Sequence, residues 1–143
     1  MIEAACLAVA IYWESRGEPF AGQVAVGQVI LNRVNDDRWP DNICDVVMEG
    51  PVNQRGVPIR NRCQFSFYCD GLPDEPEYGP AWDTARRAAA VAVQTTNLSF
   101  DITEGATHYH ATYVSPLWSD HPRVERTVRI GGHIFYKEAR DTK

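Results

Sequence analysis

The sequence predicts an α+β fold, with helices building the core and a small antiparallel β flap along one side. Three observations carry this. Residues 4–13 are apolar almost without interruption, the mark of a buried helix. Residues 20–35 and 81–96 repeat apolar side chains at helical spacing. In the last third that period gives way to short strand-like segments at 106–110, 125–130 and 133–136, with Gly131-Gly132 as a two-residue hairpin turn between the last two.

Each element has a local reason. The first helix, 3–14, ends where Gly17 can take the left-handed conformation that closes a helix, and Pro19 suits the first turn of the next. In the second helix Val24, Gln28, Leu31 and Val34 share a face. Gly22 and Gly27 cost helix propensity there and are expected to let the backbone pack closely against helix one. Asp41 or Asn42 can cap a short third helix through Met48, which Gly50-Pro51 stops. Residues 64–68, Gln-Phe-Ser-Phe-Tyr, alternate as a strand does, and residues 73–80 form an acidic loop. The fourth helix places Trp82, Ala85, Ala89, Ala92, Val93 and Thr96 on one face. Neither repeat nor linker interrupts the pattern, so residues 1–143 read as one domain, long enough to bury roughly 70% of its unfolded surface.

Composition narrows the function. A net charge of −5 argues against a nucleic-acid partner, which calls for a basic face. No apolar run is long enough to span a membrane, and Met1 leads straight into Glu3 without the positive start of a signal peptide. None of the four cysteines stands in a Cys-x-x-Cys spacing, so a structural zinc site is not expected. Cys6 and Cys44 sit in apolar helical patterns and read as small, inert core residues. Cys63 and Cys69 flank the segment 64–68 and are expected to bond to each other if the protein works outside the cytoplasm.

The candidate chemistry centres on Glu14. It falls on the last turn of helix one, where the negative end of the helix dipole disfavours a second negative charge. Trp13 and Ile11 would desolvate it further. Both effects raise a carboxyl pKa and suit a general acid. The alternative is an exposed Glu14 that merely pairs with Arg16 or Arg33. Polar and aromatic residues gather in Gln64-Phe65-Ser66 and in residues 105–110, Gly-Ala-Thr-His-Tyr-His. Rings that stack on sugar faces beside groups that bind hydroxyls suit a saccharide; the alternative is that these strand residues point to solvent. His108, His110, His121 and His133 permit a metal reading, but the His-Glu-x-x-His pattern is absent and no metal or other cofactor is expected. There is no Gly-x-Ser-x-Gly elbow, P-loop or dinucleotide fingerprint.

Residues 11–19, Ile-Tyr-Trp-Glu-Ser-Arg-Gly-Glu-Pro, followed by Gly22-Gln23-Val24-Ala25-Val26 and by Val29-Ile30-Leu31-Asn32-Arg33-Val34, resemble the opening of the spore-cortex-lytic type of cell wall hydrolases. The similarity continues in order through Ile43-Cys44-Asp45-Val46-Val47, Cys63-Gln64-Phe65-Ser66-Phe67, Gly105-Ala106-Thr107-His108-Tyr109 and residues 130–136, Ile-Gly-Gly-His-Ile-Phe-Tyr. Cys63 before Gln64 and Cys69 before Asp70-Gly71 make it more similar to the Gram-negative and phage branch. Trp13 and Ser15 stand where many members have other residues; a Ser directly after the Glu is also found in soluble lytic transglycosylases.

The resemblance implies a peptidoglycan-cleaving domain with a lysozyme-like helical core, whose partners are glycan strands. The family's catalytic Glu, the first of Glu-x-Arg-Gly-Glu, falls on Glu14. Lytic transglycosylases cut between N-acetylmuramic acid and N-acetylglucosamine without water, leaving a 1,6-anhydro ring, and need one carboxyl group where ordinary glycosidases need two. Tyr109 is expected to assist Glu14, with Gln64, Ser66 and His108 binding substrate. Glu18 is placed with the substrate-binding residues as the nearest possible second carboxylate, although its position beside Pro19 also suits a structural charge at a helix start. The expectation is a monomeric enzyme acting at the cell wall or periplasm, either an excised domain or a phage endolysin released by other means. The competing readings are a muramidase that uses water, a metal-dependent amidase or endopeptidase built on the histidines, and a murein-binding module.

Overall fold

A computed structural model describes residues 3–140. Helix α1 (Glu3–Ser15) is the central rod, with Leu7, Ile11 and Tyr12 almost wholly enclosed. Around it lie α2 (Phe20–Val34), the short α3 (Ile43–Val47) and α4 (Pro80–Asn97). The Asn42 side chain accepts the Asp45 amide at the start of α3. The Glu3 carboxylate accepts two more amides there, from Ile43 at 2.6 Å and Cys44 at 3.1 Å, satisfying donors a helix start leaves open.

Small residues set how closely the helices approach. At Gly27 an added Cβ would lie 2.9 Å from both Ile11 Cδ1 and Ala92 Cβ, so α1, α2 and α4 meet where only hydrogen fits. Gly22 does not serve the contact with α1 that the sequence suggests; it faces Glu18 and Pro19. On α4 the buried residues are Ala85, Ala88, Ala89 and Ala92, whereas Val93, placed on the same face by its spacing, is 37% exposed.

Strands β1 (His108–Ala111), β2 (Val124–Ile130) and β3 (His133–Glu138) form one antiparallel sheet in the order β1-β3-β2, and the Gly131-Gly132 turn joins the last two. Phe135 on the central strand is fully buried with Ala25, Val29 and Ala106, which presses the sheet onto α2. Polar side chains of α2 fix the segment entering β1. Gln28, itself buried, donates to Phe100 O and accepts from Ile102 N, Asn32 donates to Asp101 and Ala106 O, and Arg33 Nε donates to Thr107 O. A helix the sequence presents as an apolar packing element therefore also positions the backbone of β1.

Two further expectations require correction. Residues 64–68 are not a strand. Cys63 and Cys69 are bonded as expected, but their Cα atoms are 6.0 Å apart, whereas an extended segment of that length would span about 20 Å. The chain coils into a 3-10 turn over Ser66–Cys69, and Phe65 and Phe67 alternate inward because the loop is folded back. Cys6 and Cys44 are not merely small core residues. They form a second disulfide joining α1 to α3 across 38 residues, and among the described residues no cysteine is free.

Candidate active site

Glu14 sits on the final turn of α1, next to the corner that Gly17 closes at φ +90°. Its neighbour Ser15 turns inward and donates to Ile11 O at 2.8 Å, while Glu14 faces a small cavity of about 120 Å³ lined also by Arg33, Gln64, Phe65, His108, Tyr109 and Trp118. Tyr109 reaches across from β1 and donates its hydroxyl to Glu14 Oε1 at 2.5 Å.

The electrostatics follow from this enclosure. Burial holds the Glu14 carboxyl above its usual value. The Tyr109 hydrogen bond and the positive charge of Arg33 pull it down, without cancelling the effect of burial. Tyr109 is pushed well above the usual phenol value, first by burial and then by the Glu14 charge, so it stays a donor. Arg33 is buried against the rings of Trp39 and Phe65, and its guanidinium is pulled down by burial. Its Nη1 has no hydrogen-bond partner among the described residues. A buried donor left open beside a cavity is available to a ligand oxygen.

The structure brings Glu14, Tyr109, Gln64 and His108 to one cavity. Ser66 is exposed at the start of the 3-10 turn and does not line it. Glu18 is elsewhere: its Oε1 accepts the Gly132 amide at 2.6 Å on the hairpin turn, so the Gly17 corner directs it to the sheet and away from the cavity. Arg16, weighed as a partner for Glu14, instead stacks on Tyr12 and Trp13 and donates to the Tyr12 hydroxyl.

Sequence reasoning passed over Arg33 as a site residue and did not single out Trp118. The signal for Arg33 was the single charged residue in a helix that is otherwise uncharged, where a charge persists only with dedicated partners. Trp118 stands in a short 3-10 helix, Leu117–Asp120, after β1, and nothing local marks it. It packs on His108 and His110, with ring centroids 5.3 and 5.6 Å away. Trp118 and His108 also line a second, larger cavity of about 460 Å³. Trp118 and His108 thus stand between the Glu14 cavity and this larger one. The histidines are engaged singly: His108 with the Thr107 hydroxyl and His110 with the Tyr136 hydroxyl. Among the described residues no three His, Cys, Asp or Glu side chains are grouped to hold a metal ion.

The helical core, the three-stranded sheet and the order of motifs meet in one comparison: residues 17–136 match the Cell Wall Hydrolase family. The chain belongs to the cell wall hydrolase family. The match begins at Gly17, just past Glu14. Among curated relatives, the spore cortex-lytic enzyme of Oceanobacillus iheyensis is 54% identical over 135 residues, covering 92% of this chain and 40% of that protein. The spore cortex-lytic enzyme of Halalkalibacterium halodurans is 38% identical over 136 residues, covering 90% of this chain and 33% of that protein. The chain therefore spans between a third and two fifths of these relatives. Among solved structures, the catalytic domain of the germination-specific lytic transglycosylase SleB from Bacillus anthracis superposes with a TM-score of 0.68 at 31% identity, covering 94% of this chain and 93% of that one. The catalytic domain of Bacillus cereus SleB gives 0.69 at the same identity. The α+β architecture, a helical body with a small antiparallel sheet, is the one these domains share.

Proposed function

We propose that residues 1–143 form a single catalytic domain that cleaves peptidoglycan between N-acetylmuramic acid and N-acetylglucosamine as a lytic transglycosylase, with Glu14 as acid and then base. The observation that carries this is Glu14, the one carboxyl group among the described residues lining the small cavity (Asp120 and Glu138 line the larger one), buried, raised in pKa and held by a tyrosine hydroxyl. The structural likeness to SleB catalytic domains supports the same reading.

Protonated Glu14 gives its proton to the glycosidic oxygen, the C1–O bond breaks with its electrons going to that oxygen, and the N-acetylglucosamine end leaves as an alcohol. The muramic C1 is left as an oxocarbenium ion facing the Glu14 carboxylate. The carboxylate then takes the proton from the muramic 6-hydroxyl, O6 bonds to C1, and the anhydro ring closes with Glu14 protonated again. Tyr109 donates more strongly to the carboxylate than to the acid, so its help is greatest once the proton has left. The 6-hydroxyl belongs to the substrate and attacks with the advantage of proximity. A hydrolase would need a group to hold water on the other face, usually a second carboxylate, and Glu18 is committed to the hairpin. Gln64, His108 and Trp118 border the path of the glycan on either side of Glu14.

The domain is proposed to act as a monomer at the cell wall. Among the described residues no helix is long and apolar enough to cross a membrane. The relatives named above are spore cortex-lytic enzymes and lend no support to placing the chain in a Gram-negative or phage branch. Mass spectrometry of muropeptides tests the proposal. 1,6-anhydro ends, lighter by one water than hydrolysis products and resistant to borohydride, are expected. Digests containing only reducible muramic ends would overturn the transglycosylase step in favour of a hydrolase.

A further inference from the structure

Glu14 and Glu18 stand on the two sides of one corner, and both reach the sheet. Glu14 receives the Tyr109 hydroxyl from β1. Glu18 accepts the Gly132 amide at the tip of the hairpin, and its Oε1 lies 3.8 Å from His133 Nδ1. The His133 ring is nearly buried, and that Nδ1 has no hydrogen-bond partner among the described residues. The ring packs edge-on against Tyr109, with centroids 5.0 Å apart, and Phe135 supports Tyr109 from 5.7 Å. The space around the turn fits this grip closely. A Cβ at Gly132 would lie 2.9 Å from Glu18 Oε2, and one at Gly131 2.6 Å from Glu18 Oε1. The sheet is thus fastened to the α1–α2 corner at two points four residues apart, one chemical and one mechanical.

We propose that Glu18 is a positioning residue: by clamping the Gly131-Gly132 turn it sets His133 against the Tyr109 ring and so holds the Tyr109 hydroxyl on Glu14. The inference rests on the function proposed above for its kinetic consequence only; the clamp itself is a property of the fold. Phe135 on α2 and the Arg33 bond to Thr107 O hold the body of the sheet without Glu18, but its hairpin end would be free to shift, and a displacement of about 1 Å at a catalytic group can cost on the order of a hundredfold in rate.

A double-mutant cycle on purified peptidoglycan, with Glu14 carbon-13 labelled at its carboxyl for NMR titration, tests this. Glu18→Ala is expected to slow cleavage about ten- to a hundredfold with binding to the sacculus retained, and to slow it no more than about twofold in a Tyr109→Phe background. In the same variant the Glu14 carboxyl should titrate at a higher pH, because Tyr109 no longer holds it down. Loss of the Glu18 charge alone would move it the other way. Glu18→Gln keeps an oxygen for the Gly132 amide and should restore most of the rate and leave the titration without that rise. Gly132→Ala pushes on the carboxylate from the opposite side and should reproduce Glu18→Ala; it also serves if Glu18→Ala fails to fold. Equal slowing in both backgrounds, or a Glu14 titration that does not rise in either clamp variant, would overturn the clamp. A wild-type chain that releases no muropeptides would strike the functional reading instead, and the carboxyl titration would still decide the clamp.

Discussion

Replacing Tyr109 by phenylalanine removes one oxygen and leaves the ring contacts to His133 and Phe135 in place, so the fold should persist. What is lost is the 2.5 Å hydrogen bond to Glu14 Oε1. In the resting acid this bond joins two neutral groups. After proton transfer it joins a hydroxyl to a carboxylate, and a hydrogen bond to a charged group contributes about 1.5–3 kcal/mol. Only the part gained between these states lowers the barrier. If most of it is expressed there, the rate falls about 10- to 150-fold, at roughly 1.4 kcal/mol per tenfold. The pH profile gives an independent sign. The first step needs protonated Glu14, so activity declines as pH rises through its pKa. Tyr109 lowers that pKa against the larger effect of burial, so its removal moves the alkaline limb to higher pH. Initial rates of muropeptide release across pH measure both effects. A variant with near-normal rate, or an alkaline limb displaced to lower pH, would refute the reasoning.

Glu14→Gln keeps the shape but cannot exchange the proton, and turnover should fall on the order of 10²–10⁴-fold. The same variant should be more stable than the wild type at neutral pH. The folded state holds the Glu14 proton above the ordinary value of 4.5, so wild-type stability from this group is fully present below that value and is lost as pH rises through the folded pKa. Thermal melts should therefore show a gap between variant and wild type that opens as pH rises and then levels; a constant gap would contradict a buried, raised Glu14. Breaking the disulfide with Cys6→Ala and Cys44→Ala frees a loop of 38 residues, which corresponds to about 4 kcal/mol of unfolded-state entropy. Urea unfolding should show that loss, and a change below about 1 kcal/mol would mean that α1 and α3 hold together without it.

Much of this protein is written in local sequence because local forces decide it. An apolar run must be buried, a Gly at φ +90° ends α1 at Ser15, and a Gly-Gly pair turns β2 into β3. Glu14 stands out for the same reason, since a carboxylate at a helix C-terminus beside Trp13 carries its cost in its own neighbourhood. Residues whose surroundings come from distant parts of the chain could not be read this way. The alternation of residues 64–68 is the same for a strand and for a loop closed by Cys63–Cys69, and only the 6.0 Å Cα separation distinguishes them. Cys6 and Cys44 are bonded because α3 lies across α1, a packing no spacing rule contains. Arg33 lies in the site because α2 carries it under Trp39, Phe65 and Thr107 O, which come from three other segments. Local sequence separates the two glutamates of the Glu-x-Arg-Gly-Glu motif, one at a helix end and one at a helix start, but not the partners they reach. The corner at Gly17 sends one to the tyrosine on β1 and the other to the hairpin tip, because the chain reverses direction between them.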